Sequence, residues 1–428
     1  MLESALARAL AGDGQVVGVV AEPGVGKSRL CHEFTQRCWA RGVPVYEAHG
    51  VAHGRTVPWV PVLEYLRGCF GIAGQGPPEA AREAIAGKVL LLDPELVDSL
   101  PLLLDLLGVS DPERPVPPLD SDDRRLRLFA AMRRLLHAQS RLEPGVSLIE
   151  DLHWIDEESE AFVEALVDAV AGTRALLVVN FRPGHHAGWM QRSYYQQLPL
   201  LPLGPDAMAE MLRELLGTDP SLAEVASSIG ERAAGNPFFI EEMVQSLAEG
   251  GNLLGSKGAY RLGASGLAPA LPATVQAVLA GRIDRLPERE KHVLQTAAVL
   301  GKDFPEPVLR EVAALPEAEL ALALRELVSA EFLHATALHP EAEYAFRHPL
   351  TQEVAYHSQL GDRRARLHAA VAAALQVLRA DRLGEYASLI AHHCEAAGRR
   401  FDAARWRRRA ALKVASIHVG RTRRSREG

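Results

Sequence analysis

A glycine-rich turn between a valine-rich run and an amphipathic stretch constrains the fold of this chain more than any other feature. The run at residues 14–20 is apolar and rich in valine, and residues 28–41 have helical spacing. Between them lies Ala21-Glu-Pro-Gly-Val-Gly-Lys-Ser28. We therefore predict a strand, a tight loop and a helix in direct succession, the unit from which parallel sheets are built.

Further strands and helices alternate up to about residue 203. Residues 43–48, 146–149 and 175–179 read as buried strands, and helical stretches separate them. This alternation predicts an α/β fold of the P-loop NTPase kind, an AAA-like parallel sheet with helices on both faces.

The alternation stops after residue 203. Helices are predicted at 206–216, 220–234 and 237–248, followed by a glycine-rich connector with a hairpin turn at Gly258. Three more helices and two short strands at 332–338 and 343–346, joined through His339-Pro340, predict a winged helix. The predicted domains are the NTPase domain (1–203), a helical lid and connector (204–265), a winged-helix domain (266–360), and truncated tetratricopeptide-like helices (361–428).

Composition limits the class of protein. The 54 acidic and 47 basic residues leave a formal charge of −7, so the whole chain has no electrostatic reason to bind a polyanion. The four cysteines form no CxxC pair, which favours a reducing compartment. No export signal is recognisable, and no apolar run reaches the roughly 18 residues of a membrane span. We expect a cytoplasmic protein without membrane contact.

The glycine-rich turn fits the P-loop pattern GxxxxGK[ST], except that Ala21 replaces the first glycine. Backbone N–H groups of such a loop converge on phosphate, Lys27 is predicted to hold the β- and γ-phosphates, and Ser28 to coordinate Mg²⁺. Gly24 supplies the freedom that Ala21 lacks. The predicted phosphate-binding residues are Glu22, Pro23, Gly24, Val25, Gly26, Lys27, Ser28 and Arg29.

Hydrolysis also needs an acid at the end of a neighbouring buried strand. The segment Val146-Ser-Leu-Ile-Glu-Asp151 supplies two. We assign Glu150 to Mg²⁺, through water, and Asp151 as general base, although the two roles are interchangeable at this stage. The next strand leads into Asn180-Phe-Arg-Pro183, where Arg182 is the better candidate for a γ-phosphate sensor.

Four segments carry a family resemblance: Glu150-Asp-Leu-His-Trp-Ile-Asp156, Phe181-Arg-Pro183, Gly235-Asn-Pro-Phe-Phe239 and Phe346-Arg-His-Pro349. With these the chain resembles the STAND class of AAA-related ATPases, with an origin-recognition-like ATPase domain. It is most similar to the modules that accompany class III adenylate/guanylate cyclase domains in bacterial signalling proteins.

The resemblance implies how such a module works. The element Gly235-Asn-Pro237 would sit in the lid and pack beside the adenine, with Pro237 as the predicted ligand-binding residue. His348 would reach the phosphate of bound ADP, in a switch that is closed with ADP and open with ATP. ATP, ADP and Mg²⁺ are the implied ligands, with slow ATP hydrolysis and no cyclase activity in this chain. The resemblance also implies protein partners at the C-terminal helices and self-association in the ATP state.

Two other functions are compatible with the sequence. An initiator-like AAA+ protein would bind DNA through its winged helix, but the wing carries Ala337, His339 and Glu341 rather than a basic cluster, so nucleic acid is not expected. An interaction scaffold with a vestigial nucleotide site is the other alternative, against which the intact P-loop counts.

Overall fold

The structure is a computed structural model that describes residues 1–50, 59–72, 77–117, 119–263, 271–337, 341–380 and 383–416. The chain divides into two compact units. The first contains residues 1–20 and 28–198 and the chain from Leu375 onward, and the second contains residues 21–27 and 199–374. The predicted domain ranges remain predictions, and 264–270 and 417–428 within them lie outside the described residues.

A five-stranded sheet is the centre of the first unit. Its strands are β1 (Gln15–Val20), β2 (Val45–His49), β3 (Gly145–Glu150), β4 (Ala175–Phe181) and β5 (Tyr195–Pro199). The spatial order is β2-β3-β4-β1-β5, and β2–β3, β3–β4 and β4–β1 are parallel pairs. Every residue of β1 and β4 is buried, as expected of a sheet covered on both faces. The predicted α/β fold is confirmed.

The sequence does not predict β5, because its Tyr-Gln-Gln-Leu-Pro sequence lacks the apolar run of a buried strand. β5 is an edge strand with half-buried and exposed residues, so the hydrophobic pattern that marks the central strands is absent.

Helices cover the sheet and bury its apolar side chains. They are α1 (Leu2–Leu10), α2 (Lys27–Ala40), α3 (Val60–Phe70), α4 (Pro78–Leu92), α5 (Leu100–Leu106), α6 (Ser121–Leu142) and α7 (Glu157–Val170), with 3₁₀ turns at Pro94–Ser99, Leu152–Trp154 and Gly188–Gln191. Asp156 shows how one of them begins. Its carboxylate accepts a hydrogen bond from the Ser159 N–H at 3.0 Å and so caps α7.

The second unit is mainly helical. Its elements are α8 (Pro205–Leu216), a 3₁₀ turn (Pro220–Leu222), α9 (Ala223–Ala233), α10 (Pro237–Glu249), β6 (Leu253–Ser256), β7 (Ala259–Leu262), α11 (Val275–Arg285), α12 (Glu288–Leu300), β8 (Asp303–Pro305), α13 (Glu306–Ala313), α14 (Glu317–Ser329), β9 (Leu333–Ala337), β10 (Glu343–Phe346) and α15 (Pro349–His357). The predicted hairpin is confirmed: β6 and β7 are antiparallel, and Gly258 has a φ of 81°.

A three-stranded antiparallel sheet in the order β8-β10-β9 accompanies the helices predicted to form a winged helix, with β8 between α12 and α13 and the other two strands after α14. The sequence predicts two of these strands and misses the three-residue β8, which is too short to show a period. The predicted connection through His339-Pro340 lies outside the described residues. The winged-helix assignment stays a prediction.

Three more helices follow, α16 (Gly361–Leu378), α17 (Leu383–Ala396) and α18 (Arg400–Ser416). Tetratricopeptide-like similarity of these helices stays a prediction. Across the described residues, none of the helices combines the length and apolarity required to cross a bilayer.

Candidate functional site

The glycine-rich loop after β1 has the backbone conformation that its sequence predicts. Gly24 and Gly26 have φ values of 83° and 108°, a left-handed conformation that glycine adopts without steric cost. Ala21 does not share this conformation. Its substitution for the usual glycine is therefore compatible with the loop.

Lys27 begins α2 and is 8% exposed. Its ammonium group donates hydrogen bonds to the carbonyl oxygens of Ala21 and, at 3.2 Å, of Glu22. The positive charge is thus held against the backbone of the loop itself. Ser28 and Arg29, which follow in the first turn of α2, are exposed.

Strand register places the acidic pair at the edge of the sheet from which this loop leaves. β4 lies between β1 and β3, with Asn180 paired to Val19 of β1 and Val179 paired to Ile149 of β3. Because the strands are parallel, the end of β1 and Glu150 at the end of β3 lie at one edge. Ligands of open α/β sheets bind at this edge.

Asn180 holds the end of β3 through both ends of its amide. Its Nδ2 donates to Glu150 Oε2 at 2.9 Å, and its Oδ1 accepts from the Asp151 N–H at 2.8 Å. Asn180 is fully buried, and Asp151 takes a left-handed φ of 55°. The amide therefore fixes both the carboxylate of Glu150 and the turn that carries Asp151.

Asn180 also contacts Cys31 of α2, because its Nδ2 donates to the Cys31 sulfur at 3.6 Å. Burial raises the pKa of the Cys31 thiol to about 12, and the nearby Glu150 carboxylate adds to the effect. The thiol therefore stays neutral at physiological pH and adds no charge beside Glu150.

Acidic side chains gather on the β2 side of this edge. His49 is in register with Glu150, and Glu64 of α3 accepts from the His49 N–H at 2.9 Å and lies 2.7 Å from its Nδ1. Burial raises the pKa of Glu47, the Glu150 and Glu64 carboxylates add to this effect, and His49 opposes it. Glu47, Glu64 and Glu150 thus supply carboxylate oxygens on this side of the edge, the kind of ligand that a divalent cation prefers.

Protein ligands alone do not form a metal site here. Within the described residues, no three His, Cys, Asp or Glu side chains are placed to hold an ion together. Mg²⁺ typically keeps several waters and binds through one or two carboxylates plus substrate phosphates. The carboxylates present therefore fit a Mg²⁺ ion that arrives with a nucleotide.

Arg182 follows β4 directly, at the same edge of the sheet. Its guanidinium lies 5.4 Å from the ring centroid of Trp154, in cation–π geometry. The structure thus brings Arg182 to the turn after Asp151. Its role as a sensor stays a prediction.

In the second unit, the loop contacts the beginning of α10. Pro237 is the first residue of this helix, and the Phe238 N–H donates to the Gly24 carbonyl at 3.3 Å. The ring of His348 stacks on that of Phe238 with centroids 3.7 Å apart. The predicted residues Gly24, Pro237 and His348 therefore belong to one connected set.

His348 also has a structural role. Its Nδ1 accepts a hydrogen bond from the Leu350 N–H at 3.1 Å and so caps α15. A phosphate contact would therefore have to use the other ring nitrogen, Nε2.

Two functional candidates are not identified by the sequence analysis. Asn180 is not assigned a role, although a single amide in the apolar strand Ala-Leu-Leu-Val-Val-Asn-Phe marks a buried polar group that needs partners. Asn236 is not assigned a role of its own, and nothing in the sequence indicates its contact with the loop 213 positions earlier.

Comparisons with known proteins identify similar domains and chains. Residues 1–179 match the family model of the AAA ATPase domain, and residues 204–252 match a family described only as a domain of unknown function. An uncharacterized protein of Rhizobium meliloti is 30% identical over 399 residues, which cover 91% of this chain and 37% of that protein. The chain therefore spans little more than a third of the length of this curated relative.

Among solved structures, a STAND protein (signal transduction ATPase with numerous domains) with a tetratricopeptide repeat sensor, from Pyrococcus horikoshii, aligns with a TM-score of 0.51 and 12% identity. The alignment covers 97% of this chain and 53% of that one. A RuvB variant from Thermotoga maritima aligns at a TM-score of 0.31 and 15% identity over 80% of this chain and 89% of its own, too low to support an argument. Residues 1–179 thus match an AAA ATPase domain, and the chain has the P-loop NTPase fold.

Proposed function

We propose that this chain binds ATP with Mg²⁺, hydrolyses it slowly, and acts as a STAND-type switch that is closed with ADP and open with ATP. One observation carries the proposal: a loop with left-handed Gly24 and Gly26 leaves the sheet at the edge where Asn180 holds Glu150. Backbone donors of a glycine-containing loop and a carboxylate at one sheet edge are the parts that phosphoryl transfer requires.

The residues divide the work as follows. The backbone N–H groups of 22–28 and the Lys27 ammonium would bind the phosphates, and the Ser28 hydroxyl and, through water, Glu150 would hold Mg²⁺. When bound, Mg²⁺ neutralises negative charge on the phosphates. Asp151 would accept the proton of the attacking water, and Arg182 would detect the γ-phosphate.

Contacts of the second unit support the switch. Phe238 follows Pro237 and contacts both the loop and His348. A change at the bound phosphates would therefore alter the contacts of α10 and α15 together. The output would pass to protein partners through α17 and α18 or to a second copy of the chain in the ATP state. We place this activity in the cytoplasm, where ATP is available.

The test is nucleotide binding by the purified chain. Acid release should recover bound ADP, and a fluorescent ADP analogue should bind the wild type and fail to bind Lys27→Ala, because the ammonium that faces the phosphates is lost. Lys257→Ala, at the exposed β6–β7 turn, is the matched control and should bind normally. Equal affinity of Lys27→Ala and wild type would refute the assignment, and salt-sensitive DNA binding without nucleotide would favour the initiator alternative.

A further inference from the structure

We infer that Asn236 is a positioning residue that sets the conformation of the phosphate loop through the carbonyl of Pro23. The inference goes beyond the proposed function in assigning a determinant of loop geometry to α10. It rests on that function only for its effect on nucleotide affinity.

The two ends of the Asn236 side chain have different tasks. Its Oδ1 accepts from the Phe239 N–H at 3.1 Å and caps α10. Its Nδ2 donates to the Pro23 carbonyl oxygen at 3.0 Å. Capping needs only an acceptor, so the second bond is additional to what the helix itself requires.

A second bond makes the attachment rigid. The Phe238 N–H, from the same helical turn, donates to the Gly24 carbonyl at 3.3 Å. The first turn of α10 therefore binds two consecutive carbonyl groups of the loop. Two neighbouring peptide planes held in this way leave the loop little freedom to rotate between Pro23 and Val25.

Holding these carbonyls orients the opposite face of the loop. In a trans peptide the C=O and N–H groups point in opposite directions. Because the Pro23 carbonyl points at Asn236, the N–H of Gly24 points away from α10. The side chain thus aims a loop donor, although it touches no phosphate itself.

The close approach also explains why residue 24 is glycine. A Cβ atom at Gly24 would lie 2.7 Å from Asn236 Oδ1 and 3.1 Å from Phe238 Cβ. Gly24 is needed for its left-handed φ and for this contact alike.

α10 is a firm support for this contact. Gly235 precedes the cap with a φ of 80°, and its carbonyl accepts from the Leu203 N–H at 2.7 Å. Near its other end, α10 is held by buried Arg282 of α11, which bonds Glu242 and Glu249. α10 is therefore held in place near both of its ends.

Two variants separate capping from positioning. Asn236→Asp keeps the capping acceptor and the shape but replaces the donor, and Asn236→Ser keeps a capping acceptor without charge and is too short for both contacts. Thr274→Asp, at the exposed cap of α11, adds the same charge elsewhere and is the control.

The first measurement needs no nucleotide. The heteronuclear NOE of Gly24 and Gly26 can be measured on deuterated, ¹⁵N-glycine-labelled protein. It should fall in both Asn236 variants, because a released loop moves on the picosecond-to-nanosecond timescale. Gly18 of β1 should be unchanged, as should the melting temperature of Asn236→Asp. Unchanged NOE values at Gly24 and Gly26 in both variants would overturn the inference.

The second measurement is ADP affinity. We expect Asn236→Asp and Asn236→Ser to bind a fluorescent ADP analogue about tenfold more weakly, equivalent to ~1.4 kcal/mol, with Thr274→Asp at the wild-type value. Wild-type affinity in both Asn236 variants would also overturn the inference. A loosened loop in a chain whose wild type binds no ADP would instead support the positioning role and defeat the proposed function.

Discussion

Two regions of the molecule each hold glutamates with a buried partner, but the partners differ in charge. At the sheet edge, the neutral amide of Asn180 bonds Glu150. Between α10 and α11, the guanidinium of Arg282 bonds Glu242 at 2.5 Å and Glu249 in a forked arrangement. In one region a neutral group bonds the carboxylate, whereas in the other a cation pairs with it.

The surroundings of Arg282 show a structural purpose. The side chain is 1% exposed, donates also to the Ala330 carbonyl at 2.7 Å, and lies 4.4 Å from the ring centroid of Phe332. Every part of the guanidinium is used. A buried ion pair of this kind contributes orientation and is costly to break, because either partner alone is a buried charge. The comparison teaches that the carboxylate bonded by a neutral amide, and not the one buried with a cation, marks the candidate for chemistry.

The largest expected effect tests the sheet edge. Glu150→Gln keeps an acceptor for Asn180 but removes the charge, so ATP turnover should fall about a thousandfold (~4 kcal/mol of activation free energy) with little change in stability. Phosphate release at saturating ATP and a urea titration provide the two numbers. Turnover within about twofold of wild type would remove Glu150 from the chemistry.

Glu242→Gln is the matched control, since it is the same change in the other region. It leaves Arg282 with one carboxylate, so stability should fall by about 1–3 kcal/mol while turnover per folded molecule stays near the wild-type value. Identical profiles for the two substitutions would break the comparison between the regions.

A second prediction tests the Arg282 cluster, which consists of Arg282, Glu242 and Glu249. Arg282→Met leaves two carboxylates near apolar surroundings without their cation and should lower the free energy of unfolding by about 3 kcal/mol. Arg285→Met is the control on the same helix. The Arg285 side chain is 43% exposed and lies 3.5 Å from Glu249, so its loss should cost less than about 1 kcal/mol. Equal costs in urea denaturation would show that burial of Arg282 has no energetic role.

A third prediction concerns the neutral partner at the sheet edge. Asn180→Leu fills similar space but leaves Glu150 and the Asp151 N–H without their amide, so unfolding should become easier by about 2 kcal/mol and turnover about tenfold slower. Ser147, also on β3, forms a buried hydrogen bond with Tyr65 of α3. Ser147→Ala removes this bond and should affect stability alone. If both variants keep wild-type turnover, Asn180 is only structural.

Sequence reasoning performed differently in the two regions for physical reasons. Local patterns predict the P-loop, three buried parallel strands and Glu150. A valine run favours a buried strand and a glycine turn favours a left-handed backbone, whatever their distant neighbours are. The roles of Asn180 and Asn236 depend on partners 29 and 213 positions away, which no local period records. The sequence analysis does not single out Arg282, since only tertiary packing reveals its burial.

The smallest expected effect is a pH dependence of the stability that the Arg282 cluster contributes. Burial raises the pKa of Glu242 above its usual 4.5, although Arg282 opposes the shift. Because the folded state then takes up a proton more readily than the unfolded chain, this group's contribution to stability is present at low pH and is lost as the pH rises through its folded pKa. Removing the guanidinium should raise that pKa further.

Arg282→Met should therefore be less destabilising at low pH, where Glu242 is protonated more often, than at high pH, where its charge is buried without Arg282. We expect the difference in unfolding free energy between variant and wild type to be about 1 kcal/mol larger at about pH 8 than at about pH 5. Urea titrations at both pH values measure it, and Arg285→Met should show no such trend. A difference that stays constant between the two pH values would contradict the prediction, because it would mean that Glu242 has the same protonation in variant and wild type.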